Sequence, residues 1–184
     1  MAARYMRIRR ATLRLQELMG NYLAVDSLDQ TRFTPGTERI DLFQLVARTA
    51  ERIEWFNMVI DIEDREAEVL GDSELFRIVF FNIFNNAIKY SPVTGAIEVK
   101  CAVKDGFAEV CISDSGTGIS PEDLPHVFDR HYRAPRNLAS GSGLGLYIVR
   151  RIVELHGGAV SAESVPGQRT TICVRLPLPL IHPS

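Results

Sequence analysis

Lysine is scarce. Lys89, Lys100 and Lys104 are the only three in 184 residues, and arginine carries most of the basic charge. With a formal net charge of −2, the chain gives no overall electrostatic reason to bind nucleic acid. Cysteine is also thin. Cys101, Cys111 and Cys173 lack the short paired spacing of zinc ligands and sit in strand-like runs, so the expectation is buried free thiols in a reducing compartment. No apolar run reaches the roughly eighteen residues of a membrane-spanning helix, and no signal peptide opens the chain, which points to a soluble fragment of cytoplasmic type. Internal repeats and low-complexity segments are absent too.

What is present suits one domain with an appendage. Its most telling stretch runs from Asp72 to Ser91. At helical spacing Asn82, Asn86 and Lys89 fall on one line, with Asn85 beside it, while Phe76, Val79, Phe80, Ile83, Phe84, Ala87 and Tyr90 cover most of the remaining circumference. Asparagine is a poor helix former, and a buried amide without partners is costly. The seam therefore either bonds back to its own helix or faces something polar; the helix alone leaves both open.

The rest of the chain reads in order. Ala3 to Asp29 is an amphipathic helix with a basic start, its apolar residues Ile8, Ala11, Leu15, Leu18, Tyr22 and Val25 at heptad spacing. Such a short stripe needs a partner, either a second copy of the chain or another helix. A linker through Thr34-Pro35-Gly36 leads to a helix from Leu42 to Glu54, with Asp41 at its N-cap. Strands are expected at Met58–Ile62, Glu68–Leu70, Ala96–Val103, Phe107–Ser113, Ala159–Val165 and Thr170–Leu176, with a hairpin turn at Lys104-Asp105-Gly106. A helix from Gly143 to His156 stops at Gly157-Gly158. Paired strands with three long helices give a two-layer α+β or mixed α/β sandwich.

Three segments carry candidate chemistry. Gly141-Ser142-Gly143-Leu144-Gly145-Leu146 opens a helix, where close-approaching amides and the helix dipole suit a phosphate. It matches neither Walker A, which needs Gly-Lys-Ser/Thr, nor the dinucleotide fingerprint, which follows a strand; the alternative is a tightly packed hinge. Asp114 to Ile119 interrupts a strand with two glycines, so that its carboxylate could accept from an exocyclic amine; the alternative is a strand-ending turn. Arg130, Arg133 and Arg136 are spaced through the polar loop near the glycine-rich helix start and suit polyphosphate charge, or form a solvated face. His156 reads as a helix-end histidine bonded to carbonyls, and His126, His131 and His182 lie in no nucleophile motif.

Taken in order, these segments resemble the ATP-binding catalytic domain of bacterial sensor histidine kinases, within the GHKL ATPases that include gyrase, Hsp90 and MutL. Asn82-Ile-Phe-Asn-Asn86-Ala-Ile-Lys89-Tyr90-Ser91 resembles the N box and Asp114-Ser-Gly116-Thr-Gly118-Ile119 the G1 box. Phe128-Asp-Arg130-His-Tyr132-Arg133 is similar to the F box, and Gly141-Ser-Gly143-Leu-Gly145-Leu146 to the G2 box. The resemblance covers about Ile40 to Pro177 and implies the Bergerat fold, a mixed sheet under three helices with an added N-terminal helix. It also implies ATP and Mg²⁺ as cofactors, with Asn86 the Mg²⁺ ligand, Asn82 supporting the metal and phosphate region, and Lys89 and Tyr90 contacting the nucleotide. Asn82, Asn86 and Lys89 would be the catalytic set. Asp114 would accept from the adenine amine, with Gly116, Gly118 and Ile119 shaping its pocket. Arg130 and Arg133 would belong to the lid, and Gly141, Gly143, Leu144 and Gly145 would cradle phosphates.

The same resemblance makes residues 1–30 the end of a dimerisation and phosphotransfer helix, 31–39 a linker and 40–184 the catalytic domain. The phosphoacceptor motif is missing, so the accepting histidine would lie outside this fragment. Partners implied are that phosphotransfer domain and a response regulator, with no nucleic acid. The full-length protein would be a homodimer, often anchored in the membrane, its catalytic part in the cytoplasm. Three departures stand out: His131 replaces the usual aromatic of the F box, the lid is short, and Arg169 replaces a glycine common before the last strand. Two rival readings remain, an ATP-binding regulatory module without turnover and an anti-sigma-factor serine kinase. Asn82 at the head of the N box, where hydrolases and serine-phosphorylating relatives often carry glutamate, favours a histidine acceptor.

Overall fold

A computed structural model describes Gly36 and residues 38–53, 57–62, 66–92, 94–134 and 142–179. The helix expected from Ala3 to Asp29, most of the linker after it, Arg136 and Gly141 lie outside these residues. The chain runs β1 (Glu38–Asp41), α1 (Leu42–Glu51), β2 (Asn57–Ile62), β3 (Glu68–Gly71), α2 (Ser73–Tyr90), β4 (Ala96–Lys104) and β5 (Phe107–Asp114). A short 3₁₀ turn (Leu124–His126), α3 (Gly145–Leu155), β6 (Ala159–Val165) and β7 (Arg169–Pro177) follow.

Five strands form one sheet in the order β2-β4-β5-β7-β6, with β2 parallel to β4 and the other pairs antiparallel. β1 and β3 make a separate antiparallel pair. This is the mixed sheet under three helices that the Bergerat resemblance implies. The β4–β5 hairpin turns at Asp105 (φ 51°) and Gly106 (φ 80°). Positive φ at both central residues matches the twist of the flanking strands.

Alternation decides which face is buried. Ile97, Val99 and Cys101 of β4, Ala108, Val110 and Ile112 of β5, and Ile172, Val174 and Leu176 of β7 are buried with the helices. α2 runs along this face because its phenylalanines recur every four residues. Phe76, Phe80 and Phe84 are fully buried, each side chain contributing about 1.5–3 kcal/mol relative to exposure. Asp72 caps the helix, its Oδ1 accepting from the Glu74 and Leu75 amides at 2.8 and 3.1 Å. Asp41 caps α1 in the same way, accepting from Gln44 at 3.0 Å.

At the end of α3, His156 Nδ1 lies 2.7 Å from the Ile152 carbonyl and its ring packs 4.6 Å from that of Phe76. Burial pulls its pKa below the ordinary histidine value, with the Ile152 bond and Asp72 opposing. The helix-end role expected from the sequence is the one observed. Gly157 then adopts φ 70°, a left-handed helix stop that glycine reaches without penalty.

The expectation of three free thiols holds only for Cys101, which is buried and whose pKa is pushed up to about 12 by desolvation and by Asp61. Cys111 and Cys173 are joined as a disulfide. They stand directly opposite one another on β5 and β7, on the half-buried face away from the helices. Antiparallel register brought them together, and the separation of 62 residues hid it. The thiol argument for a reducing compartment therefore loses its basis. A loop of that length supports about 4 kcal/mol of stabilisation in the chain-entropy account. The oxidised chain is expected to melt well above a Cys111→Ser, Cys173→Ser variant, and dithiothreitol to remove the difference. Identical melting curves with and without reductant would show that the pair carries no cross-link.

Candidate functional site

The inner-face alternation of β5 runs Ala108, Val110, Ile112 and then Asp114. The strand thus delivers one carboxylate into the layer where apolar residues belong. Asp114 is 8% exposed. Desolvation raises its pKa to about 6, against the lowering effect of the Gly116 amide, which donates to Oδ1 at 2.9 Å. Its Oδ2 meets no donor among the described residues. That oxygen is not among the enclosed unpartnered atoms and is reached from the cleft, where a donor from outside the protein can meet it.

Glycine is required around it. A Cβ on Gly116 would lie 2.5 Å from Asp114 Oδ1 and 2.6 Å from the Tyr90 carbonyl. Gly118 (φ 65°) would drive a Cβ into the Val165 carbonyl. The loop is stitched to the β6–β7 turn by Ile119 N to Ser164 Oγ and Gly167 N to Thr117 O, both 2.8 Å.

Asp114 opens into a solvent-continuous cleft between α2, this loop and the start of α3. From α2 it receives Asn86, Lys89 and Tyr90; from the loop, Thr117, Gly118 and Ile119. The segment after the 3₁₀ turn adds Val127, Tyr132, Arg133 and Ala134, and the α3 entry adds Ser142, Gly143, Gly145 and Leu146. Thr170 and Ile172 of β7 complete it. Lys89 is exposed, its Nζ 4.9 Å from the Tyr90 ring centre.

The seam of asparagines divides. Asn86 lies in the cleft. Asn82 is buried between α2 and α3; its Nδ2 donates to the Ile78 carbonyl at 2.9 Å and its Oδ1 would lie 2.8 Å from a Cβ on Gly145. Asn85 is outside the cleft lining, its Nδ2 buried without a partner among the described residues. Asn82 thus bonds back to its own helix, whereas Asn86 lines the cleft.

The foot of the arginine-bearing loop is pinned. His131 N donates to the Gly143 carbonyl at 2.9 Å, and the two residues have φ 64° and 70°. A Cβ on Gly143 would stand 2.7 Å from the His131 main chain, so only glycine closes this foot. His131 itself is exposed, so the missing F-box aromatic costs no core packing.

Of the residues expected from the sequence, Asn86, Lys89, Tyr90, Asp114, Gly118, Ile119, Arg133, Gly143 and Gly145 meet in one cleft. Gly116 packs behind Asp114, Leu144 precedes α3 and packs on the core, and Arg130 lies 5.9 Å from the Tyr147 ring. α3 starts at Gly145, two residues later than expected. Thr170 and Ile172 were missed because no motif marks them; Thr170 pairs with Asp114 across β5 and β7, which only register reveals.

No group of three histidine, cysteine or acidic side chains placed to hold a metal occurs among the described residues. The Asn86 amide in the cleft lining offers an oxygen of the kind that, with ligand phosphates and water, suits Mg²⁺, which keeps several waters and few protein ligands.

Residues 71–180 match the family described as "Histidine kinase-, DNA gyrase B-, and HSP90-like ATPase". Among curated relatives, the histidine-protein kinase/phosphatase MprB of Mycobacterium ulcerans is 37% identical over 84% of this chain and 32% of its own. Sensor protein IrlS of Burkholderia pseudomallei is 39% identical over 61% of this chain and 25% of its own. The chain thus spans only about a quarter to a third of these relatives. In the solved mycobacterial sensor histidine kinase MprB, a likeness with TM-score 0.69 and 32% identity covers 77% of this chain and 97% of that one. Full-length ShkA shares the fold over 96% of this chain and 38% of its own, with TM-score 0.76 and 21% identity.

Proposed function

The chain belongs to the histidine kinase-, DNA gyrase B- and HSP90-like ATPase family, and on that premise we propose that it is the ATP-binding catalytic part of a sensor histidine kinase. Its reaction is transfer of the ATP γ-phosphoryl group to a histidine outside this fragment, in two-component signalling. The observation that carries this reading is convergence. Asn86, Asp114, Arg133 and Gly143 come from four separate segments and line a single cleft.

Each group has work that its chemistry suits. Asp114 accepts from the exocyclic amine of adenine, and the glycines beside it let a flat ring approach the main chain. Main-chain amides at the α3 entry, with Lys89 and Arg133, face phosphate charge. Asn86 holds Mg²⁺, which neutralises phosphate charge when bound. The domain contributes positioning and electrostatics. A histidine acceptor brings its own lone pair and needs little help, so no carboxylate base is required at the head of the N box, where Asn82 stands.

The remaining assignments rest on the sequence resemblance, since the family match begins at residue 71. Residues 1–30 are the end of the dimerisation and phosphotransfer helix, 31–39 a linker and 40–184 the catalytic domain. The partners are the phosphotransfer segment bearing the histidine and a response regulator. The whole protein is a homodimer with its catalytic part in the cytoplasm. No helix among the described residues is long and apolar enough to cross a membrane.

Incubation with γ-labelled ATP, Mg²⁺ and a supplied histidine-bearing transfer domain tests the reading. The expected label on that domain is lost in acid and stable in alkali, as a phosphoramidate is. Label stable in acid would indicate a serine kinase, and ATP binding without any label a regulatory module.

A further inference from the structure

Asp123 belongs to none of the motifs that pointed to the site, and it does not line the cleft. It sits four residues past Ile119, on the turn leaving the glycine loop. Its carboxylate is held by its own turn: Ser120 Oγ donates to Oδ2 at 2.7 Å, and the Asp123 amide donates to Ser120 Oγ at 3.2 Å. The other oxygen, Oδ1, accepts from the Tyr132 hydroxyl at 2.7 Å. Tyr132 does line the cleft, next to Arg133.

The segment between the two is anchored at several points. Phe128 is buried at 9% exposure. Asp129 lies 3.0 Å from the His126 ring and 3.6 Å from Arg150 of α3. His131 is fixed to Gly143. The Tyr132 amide donates to the Asp129 carbonyl at 3.2 Å, and its ring packs on the half-exposed ring of His126, with centroids 5.3 Å apart. A tyrosine so placed has a free χ1 unless its distal end is tied.

We infer that Asp123 is a positioning residue for nucleotide binding. By accepting from the Tyr132 hydroxyl it holds that ring as a wall of the cleft, and so joins the loop that carries Asp114 to the foot of the loop that carries Arg133. A hydrogen bond to a carboxylate is stronger than one between neutral groups. The bond also keeps the hydroxyl protonated: Tyr132 has a raised pKa, first through the Asp123 bond, then desolvation and the charges of Asp123 and Asp129. The inference deepens the proposed function and rests on it.

The test combines nucleotide titration with a double-mutant cycle. Tyr132→Phe and Asp123→Ala are each expected to weaken ATP binding about five- to tenfold. The double variant should lose no more than Asp123→Ala alone, because that variant already removes the Tyr132 bond along with the Ser120 contact. Asp123→Asn keeps an acceptor oxygen and should recover part of the loss. Tyrosinate absorbance supplies a readout that does not depend on nucleotide. The chain has five tyrosines; the one absent in Tyr132→Phe should ionise late in the wild type and earlier in Asp123→Ala.

Binding within twofold of wild type in Tyr132→Phe, additive losses in the double variant, or a Tyr132 titration indifferent to Asp123 would each overturn the inference. A wild-type chain that binds no adenine nucleotide would instead overturn the proposed function itself.

Discussion

Asn86→Ala is expected to remove the magnesium-dependent part of ATP binding, weakening affinity by about a hundredfold or more at saturating Mg²⁺. The same variant should melt at or slightly above the wild-type temperature. Asn86 sits mid-helix on α2 with its side chain in the cleft, and alanine is the better helix former by up to about 0.7 kcal/mol. Loss of function without loss of fold separates a ligand role from a packing role. Calorimetric titrations of ATP at several Mg²⁺ concentrations make the comparison. An Mg²⁺ dependence unchanged from wild type would remove the metal assignment.

Asp114→Asn should uncouple binding from stability in the other direction. The folded pKa of Asp114 is raised to about 6 from 3.8. Its contribution to stability is therefore fully present below the unfolded value and is lost as pH rises through about 6. At pH 8 the buried charge costs the nucleotide-free protein about 2–3 kcal/mol, an upper figure given how open the cleft is. Asparagine keeps the acceptor for the Gly116 amide and carries no charge. The variant should thus melt several degrees higher at pH 8, with the gain shrinking toward pH 5. His156 has the opposite sign: its lowered pKa favours the fold above the ordinary histidine range and costs stability as pH falls. It is common to both proteins and cancels in the difference.

ATP binding should fall by two orders of magnitude or so in Asp114→Asn, since an amide nitrogen facing the adenine amine offers a donor where an acceptor is needed. In the wild type, affinity should drop as pH falls through about 6, because the amine donates to the ionised form. A pH-independent affinity, or tight binding by Asp114→Asn, would contradict the assignment.

Local features were legible in the sequence wherever one segment sufficed to specify them. The caps at Asp41 and Asp72, the hairpin at Asp105-Gly106, and β6 from Ala159 to Val165 stand where they were expected. β1 and the 3₁₀ turn were not read from the sequence: each spans three or four residues, a length at which alternation marked β3 but did not set these two apart from their flanks. What pairing creates was equally hidden. Cys111 opposite Cys173 and Asp114 opposite Thr170 follow from the same β5–β7 register, which alternation constrains only to face and not to position.

The asparagine seam illustrates the boundary. Helical spacing put Asn82 and Asn86 on one line, but the line crosses from a packed interface, where Asn82 meets Gly145, into an open cleft at Asn86. Motif resemblance treats the two as one site, whereas position along the helix axis separates them. Asp123 shows the converse: it gains its importance through a contact with Tyr132, nine residues away in sequence, across a turn.

The central claim is that this cleft reads an adenine base through Asp114 while holding Mg²⁺-bound phosphates at Asn86. The most direct measurement compares ATP with inosine triphosphate, which carries a carbonyl in place of the exocyclic amine and is otherwise the same ligand at the phosphates. The wild type is predicted to prefer ATP by about a hundredfold at pH 8, and Asp114→Asn to abolish or reverse that preference. Equal affinity of the wild type for the two nucleotides would contradict the account.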